Sequence, residues 1–370
     1  MDTIPQLTVS GNAFERGRLH GERFAAEVVA NINTYLERFD FSGFARGAAL
    51  EEGGNWLAAI GRHDADYYEE MEGIARGAGC DLREIALINA RYEIAFTLYG
   101  KEAKKRDELL SVGPDGCTTF GLLPQVTADG HTWLGQNWDW LEAIHGRTLV
   151  LRVRSQGQPS FICLTEAGIV GGKMAVNECG VGLVENGLAS SFDGANPYEA
   201  PFHVRCRQIA RAERYEDALG AVVSTKRTCS GNFVVGHSGG EIIDLETSPS
   251  HVSYLYPEGG VITHSNHFVG TSYGESLMER ISPNTLYRAA RLRRLLMAGS
   301  GKIAVARMQE ALKDKFGTPN AICRVPDPKQ AKPKRSMTAA AVLIDLDARV
   351  LHVANGPPST YPFVPFPLHD

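Results

Sequence analysis

The sequence predicts an α+β fold with helices and antiparallel sheets in layers, and two patterns along the chain support this. In the first third, apolar residues recur at helical spacing among many charges over 13–39, 56–77 and 82–99. From Thr118 onward, short β-rich runs are separated by turn signals such as Ala128-Asp129-Gly130. Helices and strands do not alternate regularly, which argues against a doubly wound parallel sheet and favours hairpins.

The β-rich part contains predicted strands, several apolar on both faces, at 148–153, 160–164, 233–235, 241–245 and 339–344. Strands of this kind need cover on both sides, from a second sheet or from helices. Helical patterns lie between them at 200–223 and 284–297. The Pro- and Lys-rich segment 325–335 is predicted to be a surface loop, and the chain from Gly356 a Pro-rich tail. We therefore treat 1–370 as a single domain.

Bulk composition limits the classes of function. The 370 residues are 43% hydrophobic and 22% charged, with a formal net charge of −5, which is typical of a folded globular protein. No basic block is long enough to bind a phosphate backbone, so nucleic acid is not an expected partner. The sequence has no apolar run that could span a bilayer and no signal-peptide pattern, so we expect a cytoplasmic protein without a membrane partner.

Seven cysteines are scattered without a CxxC pair, at spacings that suit neither a zinc site nor a disulfide framework. A single cysteine is by default a small buried side chain. Cys117 differs in its surroundings, because it follows Pro114-Asp115-Gly116 where the helical third meets the β-rich part. The ordinary interpretation of this segment is a turn that enters a strand.

The functional interpretation is that Cys117 cuts the chain before itself. Gly116 has no side chain, so the thiol can approach its carbonyl, and glycine backbone can adopt the distorted geometry that attack requires. After an N-to-S acyl shift, water would resolve the thioester into chains 1–116 and 117–370. The new α-amine, with an unperturbed pKa of roughly 7.7 to 8.0, could then serve as the general base for the thiol.

Short segments in a fixed order extend this interpretation over nearly the whole chain. They are Asp115-Gly116-Cys117-Thr118-Thr119, Gly135-Gln136-Asn137-Trp138-Asp139, Asn177-Glu178-Cys179-Gly180-Val181-Gly182, Ser230-Gly231-Asn232-Phe233, Ser265-Asn266-His267-Phe268, the helix around Arg288, and Ile322-Cys323-Arg324. In this order they resemble the peptidase C45 family, the acyl-coenzyme A:6-aminopenicillanic acid acyltransferase family of N-terminal-nucleophile hydrolases. The resemblance implies a four-layer α/β/β/α sandwich, self-cleavage, and hydrolysis or transfer of acyl groups at amides or thioesters.

The resemblance also implies a set of site residues. The catalytic residues would be Cys117, Asp139, Asn232 and Arg288, supported by Asp115, Thr118, Asn137 and Asn266. Asp139 would orient the amino group of the nucleophile, and Asn232 would donate to the negative oxygen of a tetrahedral intermediate. The alternative for both Asp139 and Asn232 is a turn residue satisfied by the backbone.

Arg288 could meet a carboxylate or a developing negative charge. Arg291, Arg293 and Arg294 lie within two helical turns of it, so which arginine faces the site stays open, and a solvated helix face is the alternative. Thr285 stands three residues before Arg288, where the family usually has serine, a departure that keeps the hydroxyl.

No metal or cofactor is predicted. His264 and His267 lack the Glu or Cys companions of a recognisable zinc arrangement, and cysteine acyl chemistry proceeds without a cofactor. His20 and Gly21 also match a family pattern, but they precede the cleavage point, so we expect a processing or packing role for them.

The predicted function is hydrolysis of an N-acyl or aminoacyl amide through a thioester on Cys117, with a small-molecule amide or thioester as the substrate. If the acyl-enzyme admits an amine in place of water, the same chemistry is acyl transfer from acyl-coenzyme A or an amide. Two further hypotheses are an unprocessed, non-catalytic binding protein and an uncleaved cysteine hydrolase with a histidine base. The candidate bases are His131, His145, His237, His264 and His267.

Overall fold

The computed structural model describes residues 4–97, 116–270 and 276–369. The first third is helical as predicted, although the predicted stretches divide into shorter helices. These are α1 Ala13–Arg23, α2 Ala25–Phe41, α3 Arg46–His63, α4 Ala65–Ala78, α5 Leu82–Asn89 and α6, which covers 91–97. Two of the breaks fall at capping side chains, since Asp64 accepts from the N–H of Tyr67 and Asp81 forms a capping box with Glu84. The predicted helix at 82–99 extends past the described residues.

Helices α1 and α4 pack backbone against backbone. A Cβ atom at Gly17, Gly21, Gly73 or Gly77 would come within 3.0 Å of backbone atoms of the facing helix, so only glycine permits this approach. His20 accepts a hydrogen bond from the N–H of Gly168 at 3.2 Å. His20 and Gly21 therefore both have packing contacts in the fold.

The remaining chain, together with one N-terminal strand, forms two sheets. The strands of the described residues are β1 Gln6–Ser10, β2 Thr118–Leu122, β3 Trp133–Leu141, β4 Thr148–Arg154, β5 Phe161–Glu166, β6 Ala175–Asn177, β7 Val181–Gly187, β8 Gly231–His237, β9 Glu241–Ser248, β10 His251–Leu255, β11 Val261–His264, β12 Ser336–Asp345, β13 Val350–Ala354 and β14 Val364–Pro367. One sheet has the order β1-β4-β5-β6-β7-β8-β9-β10, and the other has the order β11-β2-β3-β12-β13-β14. Only the β1–β4 pairing is parallel among these strands.

The two sheets face each other between layers of helices. Helices α7 Phe202–Ala210 and α8 Tyr215–Val223 pack on β7 and β8 of the eight-stranded sheet. On the other side of that sheet, β7 and β8 pack against β2 and β3 of the six-stranded sheet. After the short α9, Met278–Ile281, helices α10 Thr285–Leu296 and α11 Val305–Leu312 cover the six-stranded sheet. The expected four-layer α/β/β/α sandwich is confirmed.

The five predicted strands are all present, as β4, β5, β8, β9 and β12. Strand β12 is buried at every residue; it lies between β3 and β13 within its sheet and contacts helix α11. The expectation of a Pro-rich tail from Gly356 was wrong in part, since Val364–Pro367 forms β14. This strand lies at the edge of its sheet, where proline is tolerated. Among the described residues, no helix combines the length and apolar character needed to cross a membrane.

Candidate active site

Cys117 lies immediately before β2, which is flanked by β11 and β3 in the six-stranded sheet. Its side chain is only 3% exposed. It borders a cavity of about 20 Å³ whose lining also includes Trp138, Trp140, Glu185 and His203. A space of this size holds about one water molecule.

The carbonyl group before Cys117 is held by a buried guanidinium. Nη1 of Arg288 donates to the carbonyl oxygen of Gly116 at 2.5 Å and to that of Cys117 at 2.7 Å. The same nitrogen lies 2.7 Å from Oγ1 of Thr118. A positive charge in this position favours negative charge on the Gly116 oxygen, which is the charge that nucleophilic attack on this carbonyl creates.

Arg288 is fully buried on α10 and has polar partners on both sides of its guanidinium. Its Nη2 donates to Oδ1 of Asn266 at 2.7 Å, and its Nε donates to Oδ1 of Asn284 at 2.9 Å. Burial, with Arg324 nearby, lowers the pKa of Arg288 to about 10, so this side chain stays charged at neutral pH.

The other arginines of α10 point away from Cys117. Arg291 forms an ion pair with Asp314 at 2.7 Å, and Arg293 donates to the backbone carbonyls of Val261 and Glu258. Arg294 is exposed. The sequence left open which arginine of this helix faces the site. Of the four, Arg288 is the one that contacts the Gly116 carbonyl.

Asp139 lies within β3, not in a turn, and it is fully buried. Its Oδ1 accepts from Oγ1 of Thr338 at 2.6 Å, and its Oδ2 accepts from Nε of Arg324 at 3.2 Å. Burial raises the pKa of Asp139 to about 6, although Arg324 and Arg288 oppose the shift. The carboxylate therefore has a resident cationic partner in addition to any ammonium group formed at Cys117.

Arg324 is the residue that sequence reasoning missed in this part of the site. It is 1% exposed, and a Cβ atom at position 116 would lie within 3.0 Å of its guanidinium. The segment Ile322-Cys323-Arg324 had been noted for its resemblance, but the arginine was given no role. Nothing local in the sequence connects it with Asp139, from which it is 185 residues distant.

The supporting residues divide into two groups. Asn266 joins the nucleophile region to the other sheet, because its Nδ2 donates to the carbonyl of Gly187 at 2.9 Å. Asn137 faces the opposite way and donates to the carbonyls of Leu312 and Ile322 at 2.9 and 2.8 Å, which ties β3 to the segment carrying Arg324. Asp115 lies outside the described residues.

Asn232 lies within β8 and does not line the cavity at Cys117. Its Nδ2 donates to Oδ1 of Asp244 at 2.6 Å. Asn186, directly opposite on β7, donates to Oγ1 of Thr119 at 2.8 Å. Asn232, Asp244 and Asn186 thus form a polar cluster between the sheets. The cluster contacts β2, the strand that follows Cys117, through the hydrogen bond from Asn186 to Thr119.

The cavity carries buried charges that the sequence did not reveal. Arg91 and Lys173 contact the same oxygen, Oε1 of Glu166, at 2.5 and 3.2 Å. The two cations also lie over the rings of Trp140 and Trp138 respectively. Burial opposes ionisation, but Arg91 and Lys173 keep the pKa of Glu166 below its ordinary value.

His203 is the histidine that lines this cavity. Its Nε2 has no hydrogen-bond partner among the residues that the structure describes, and burial, with Arg91 and Lys173, lowers its pKa well below the ordinary value. None of the five histidines considered as bases lines the cavity: His131, His145, His237, His264 and His267. His203 lies in a helical segment without a distinguishing motif, so no sequence signal marked it.

The sandwich and the buried thiol beside a guanidinium-held carbonyl define a candidate enzyme site for acyl chemistry. The family model described as acyl-coenzyme A:6-aminopenicillanic acid acyl-transferase matches residues 126–360. The acyl-coenzyme A:6-aminopenicillanic-acid-acyltransferase 40 kDa form of Emericella nidulans is 31% identical over 296 residues, which are 79% of this chain and 76% of that protein. The chain belongs to this acyltransferase family, and the resemblance seen in the sequence is confirmed.

Two solved structures are similar at lower identity. An N-acylethanolamine-hydrolyzing acid amidase ortholog from Caenorhabditis elegans has a TM-score of 0.47 and 13% identity, over 62% of this chain and 93% of that chain. Penicillin V acylase from Agrobacterium tumefaciens has a TM-score of 0.45 and 11% identity, over 65% of this chain and 83% of that chain. The family model and the curated relative are both named for acyl transfer. The residues that match the family model begin after Cys117.

Proposed function

We propose that this protein is an autoproteolytic amidohydrolase in which Cys117 first cleaves the Gly116–Cys117 bond and then, as the new N-terminal residue, hydrolyses an N-acyl amide. The observation that carries the proposal is the 2.5 Å hydrogen bond from Arg288 to the carbonyl oxygen of Gly116. A buried cation on this oxygen is more than an ordinary turn carbonyl requires, because such a carbonyl can be satisfied by a backbone N–H or by water.

The processing step follows from this geometry. The Cys117 sulfur attacks the Gly116 carbonyl carbon, and the negative oxygen of the intermediate forms against Arg288. Collapse breaks the C–N bond, the nitrogen takes the thiol proton, and a thioester links Gly116 to the sulfur. Water then hydrolyses the thioester, which leaves a carboxylate on Gly116 and a free thiol and α-amine on Cys117.

The same groups then serve turnover. The α-amine of Cys117 accepts the thiol proton, the sulfur attacks the substrate amide, and the leaving amine takes the proton. Asp139 is the carboxylate that orients the amine, with its own position set by Thr338 and Arg324. Asn232 is the proposed donor to the substrate oxyanion; it does not line the cavity at Cys117 in this structure, so the proposal requires the site to open towards Asn232 when substrate binds. Water completes the cycle by hydrolysing the acyl-enzyme.

Acyl transfer is the second candidate function, and the relative from Emericella nidulans favours it, because that protein is named as an acyltransferase. The two activities share the acyl-enzyme and differ in whether water or an amine attacks it. The cavity of about 20 Å³ beside Cys117 has room for a water molecule, which is why hydrolysis is proposed first. Adding a primary amine during turnover and measuring the amide product would distinguish the two.

The experiment that tests the proposal is the intact mass of the denatured protein. The wild type should give two masses that divide between Gly116 and Cys117, and Cys117→Ala should give one full-length mass. Cys80→Ala is the matched control, because Cys80 is a partly buried free cysteine in the helical third, and it should be cut like the wild type. A full-length wild type that still hydrolyses amides would overturn the self-cleaving mechanism.

A further inference from the structure

Two side chains of the polar cluster between the sheets are hydrogen-bonded to each other, and each has a buried oxygen atom without a partner among the described residues. Asn232 and Asp244 are both fully buried, and Nδ2 of Asn232 donates to Oδ1 of Asp244 at 2.6 Å. The second atom of each group, Oδ1 of Asn232 and Oδ2 of Asp244, has no hydrogen-bond partner among the residues that the structure describes. Buried polar atoms are rarely left unpaired, so this pair calls for an explanation.

We infer that Asp244 carries a proton on Oδ2 in the folded protein and forms a second hydrogen bond, to Oδ1 of Asn232. An ionised carboxylate and an amide oxygen are both acceptors and cannot satisfy each other. One proton on Oδ2 of Asp244 satisfies both atoms at once. The result is a closed ring of two hydrogen bonds in which each side chain donates once and accepts once.

The charges around Asp244 agree with this assignment. The titratable groups that face it are Glu246 from its own strand and His264 from β11, while β7 and β8 contribute the uncharged Asn186 and Asn232 at opposed register positions. Nε2 of His264 lies 2.7 Å from Oε1 of Glu246, so this histidine near Asp244 already has a carboxylate partner. Burial and Glu246, opposed by His264, raise the pKa of Asp244 to about 7.

The ring makes Asp244 a positioning residue for Asn232, a role that rests on the proposed function. An amide has two N–H bonds, and the ring uses the one on the same side as the amide oxygen. The ring does not use the other N–H, which under the proposed function donates to the oxyanion. When Asp244 loses its proton, two acceptor oxygens face each other, the amide is no longer fixed, and the donor is lost from its place. Acylation of the enzyme should therefore weaken as pH rises through the titration of Asp244.

Replacing Asp244 by asparagine tests this, because an asparagine amide offers one donor and one acceptor at every pH. The probe is the acylation rate with 4-nitrophenyl acetate between pH 5 and 9, for wild type, Asp244→Asn and Asp244→Ala. Asp244→Asn should match the wild type at pH 5 and exceed it increasingly above pH 7, by up to about tenfold per pH unit for loss of a single proton. Asp244→Ala should be slower by about 10²- to 10³-fold, the usual loss when an oxyanion donor is misplaced. Glu241→Gln, at the exposed end of the same strand, should leave the profile unchanged.

An infrared spectrum supplies a readout that does not depend on turnover. The wild-type minus Asp244→Asn difference spectrum should show a carboxylic-acid carbonyl band at pH 5, and this difference band should diminish at pH 9. A wild-type minus Asp244→Asn difference spectrum without this band, or identical pH profiles for the two proteins, would overturn the inference. If the intact mass of the wild type shows no scission but the infrared difference band is present, the protonated Asp244 stands and only the proposed function fails.

Discussion

The guanidinium of Arg324 lies so close to the backbone of Gly116 that a Cβ atom at position 116 would come within 3.0 Å of it. Arg324 also donates to Asp139, so a single side chain connects the proposed scissile residue to the proposed orienting carboxylate. The glycine is therefore needed for packing as well as for access of the thiol to the carbonyl.

Gly116→Ala should slow self-cleavage strongly, because the added methyl group must displace Arg324 or move the carbonyl away from Arg288. The measurement is the fraction of cut chain by mass during refolding or expression. Gly220→Ala is the control, since a Cβ atom there meets open space in helix α8; it should cut normally and gain up to about 1 kcal/mol of stability. Normal cutting of Gly116→Ala would contradict the packing argument.

Arg288→Lys should reduce the rate of scission by about 10²- to 10³-fold, the usual loss for one oxyanion donor. A lysine keeps the charge but cannot reproduce the fixed set of hydrogen bonds to Gly116, Cys117 and Asn266. Arg291→Lys, on the same helix but paired with Asp314, is the matched control and should be cut like the wild type. Equal rates for the two variants would remove Arg288 from the mechanism.

Turnover of the cut protein should fall as pH drops through about 6, because Asp139 must be ionised to orient the ammonium group at Cys117. Its pKa in the folded protein is raised above the unfolded value, so the folded state binds the proton more tightly. This group therefore makes the protein less stable as pH rises from about 4 to about 6, with no further change above that range. Denaturant unfolding at pH 4 and 6 of the wild type and Asp139→Asn measures the stability, and a pH–rate profile without an acid limb would contradict the role.

After scission, chains 1–116 and 117–370 should stay together under native conditions. Buried ion pairs join them, including Arg91 with Glu166 and Glu70 with Arg207, and β1 of the first chain pairs with β4 of the second. Glu70→Gln should weaken the association by about 3 to 5 kcal/mol, because it leaves buried arginines without their carboxylate. Native mass spectrometry or gel filtration of cut protein checks this, and dissociation of the wild type would show that the interface is insufficient.

His203→Gln separates the proposed mechanism from a conventional thiol–histidine pair. With the α-amine as the base, the variant should be cut and should keep its activity within about tenfold. Loss of a general base would cost about 10²- to 10⁴-fold instead. The comparison uses intact mass and the acylation rate of the same samples, and a loss of that size in uncut protein would favour an uncleaved hydrolase with His203 as its base.

Much of the fold was predictable because it depends on local patterns. The helical spacing of the first third and the doubly apolar strands such as β12 indicate layers that must cover one another. The motif Asp115-Gly116-Cys117 likewise singled out one cysteine of seven. Two features were not predicted: the division of the first third into shorter helices at caps such as Asp64, and the edge strand β14. The sequence signals for a single cap or a four-residue strand were too weak to detect.

The sequence by itself indicated the candidate nucleophile and the bond it would cut, since both are read from neighbouring residues, and it indicated the family through short segments in a fixed order. Only the tertiary structure decided that Arg288 reaches the Gly116 carbonyl, 172 residues away, that Arg324 partners Asp139, and that His203 lines the cavity. The physical reason is that a helix offers several arginines at similar spacing, and burial selects among them only when the sheets and helices have packed. The protonation of Asp139 and Asp244 depends on the same packing, because it is the removal of water that raises their pKa values.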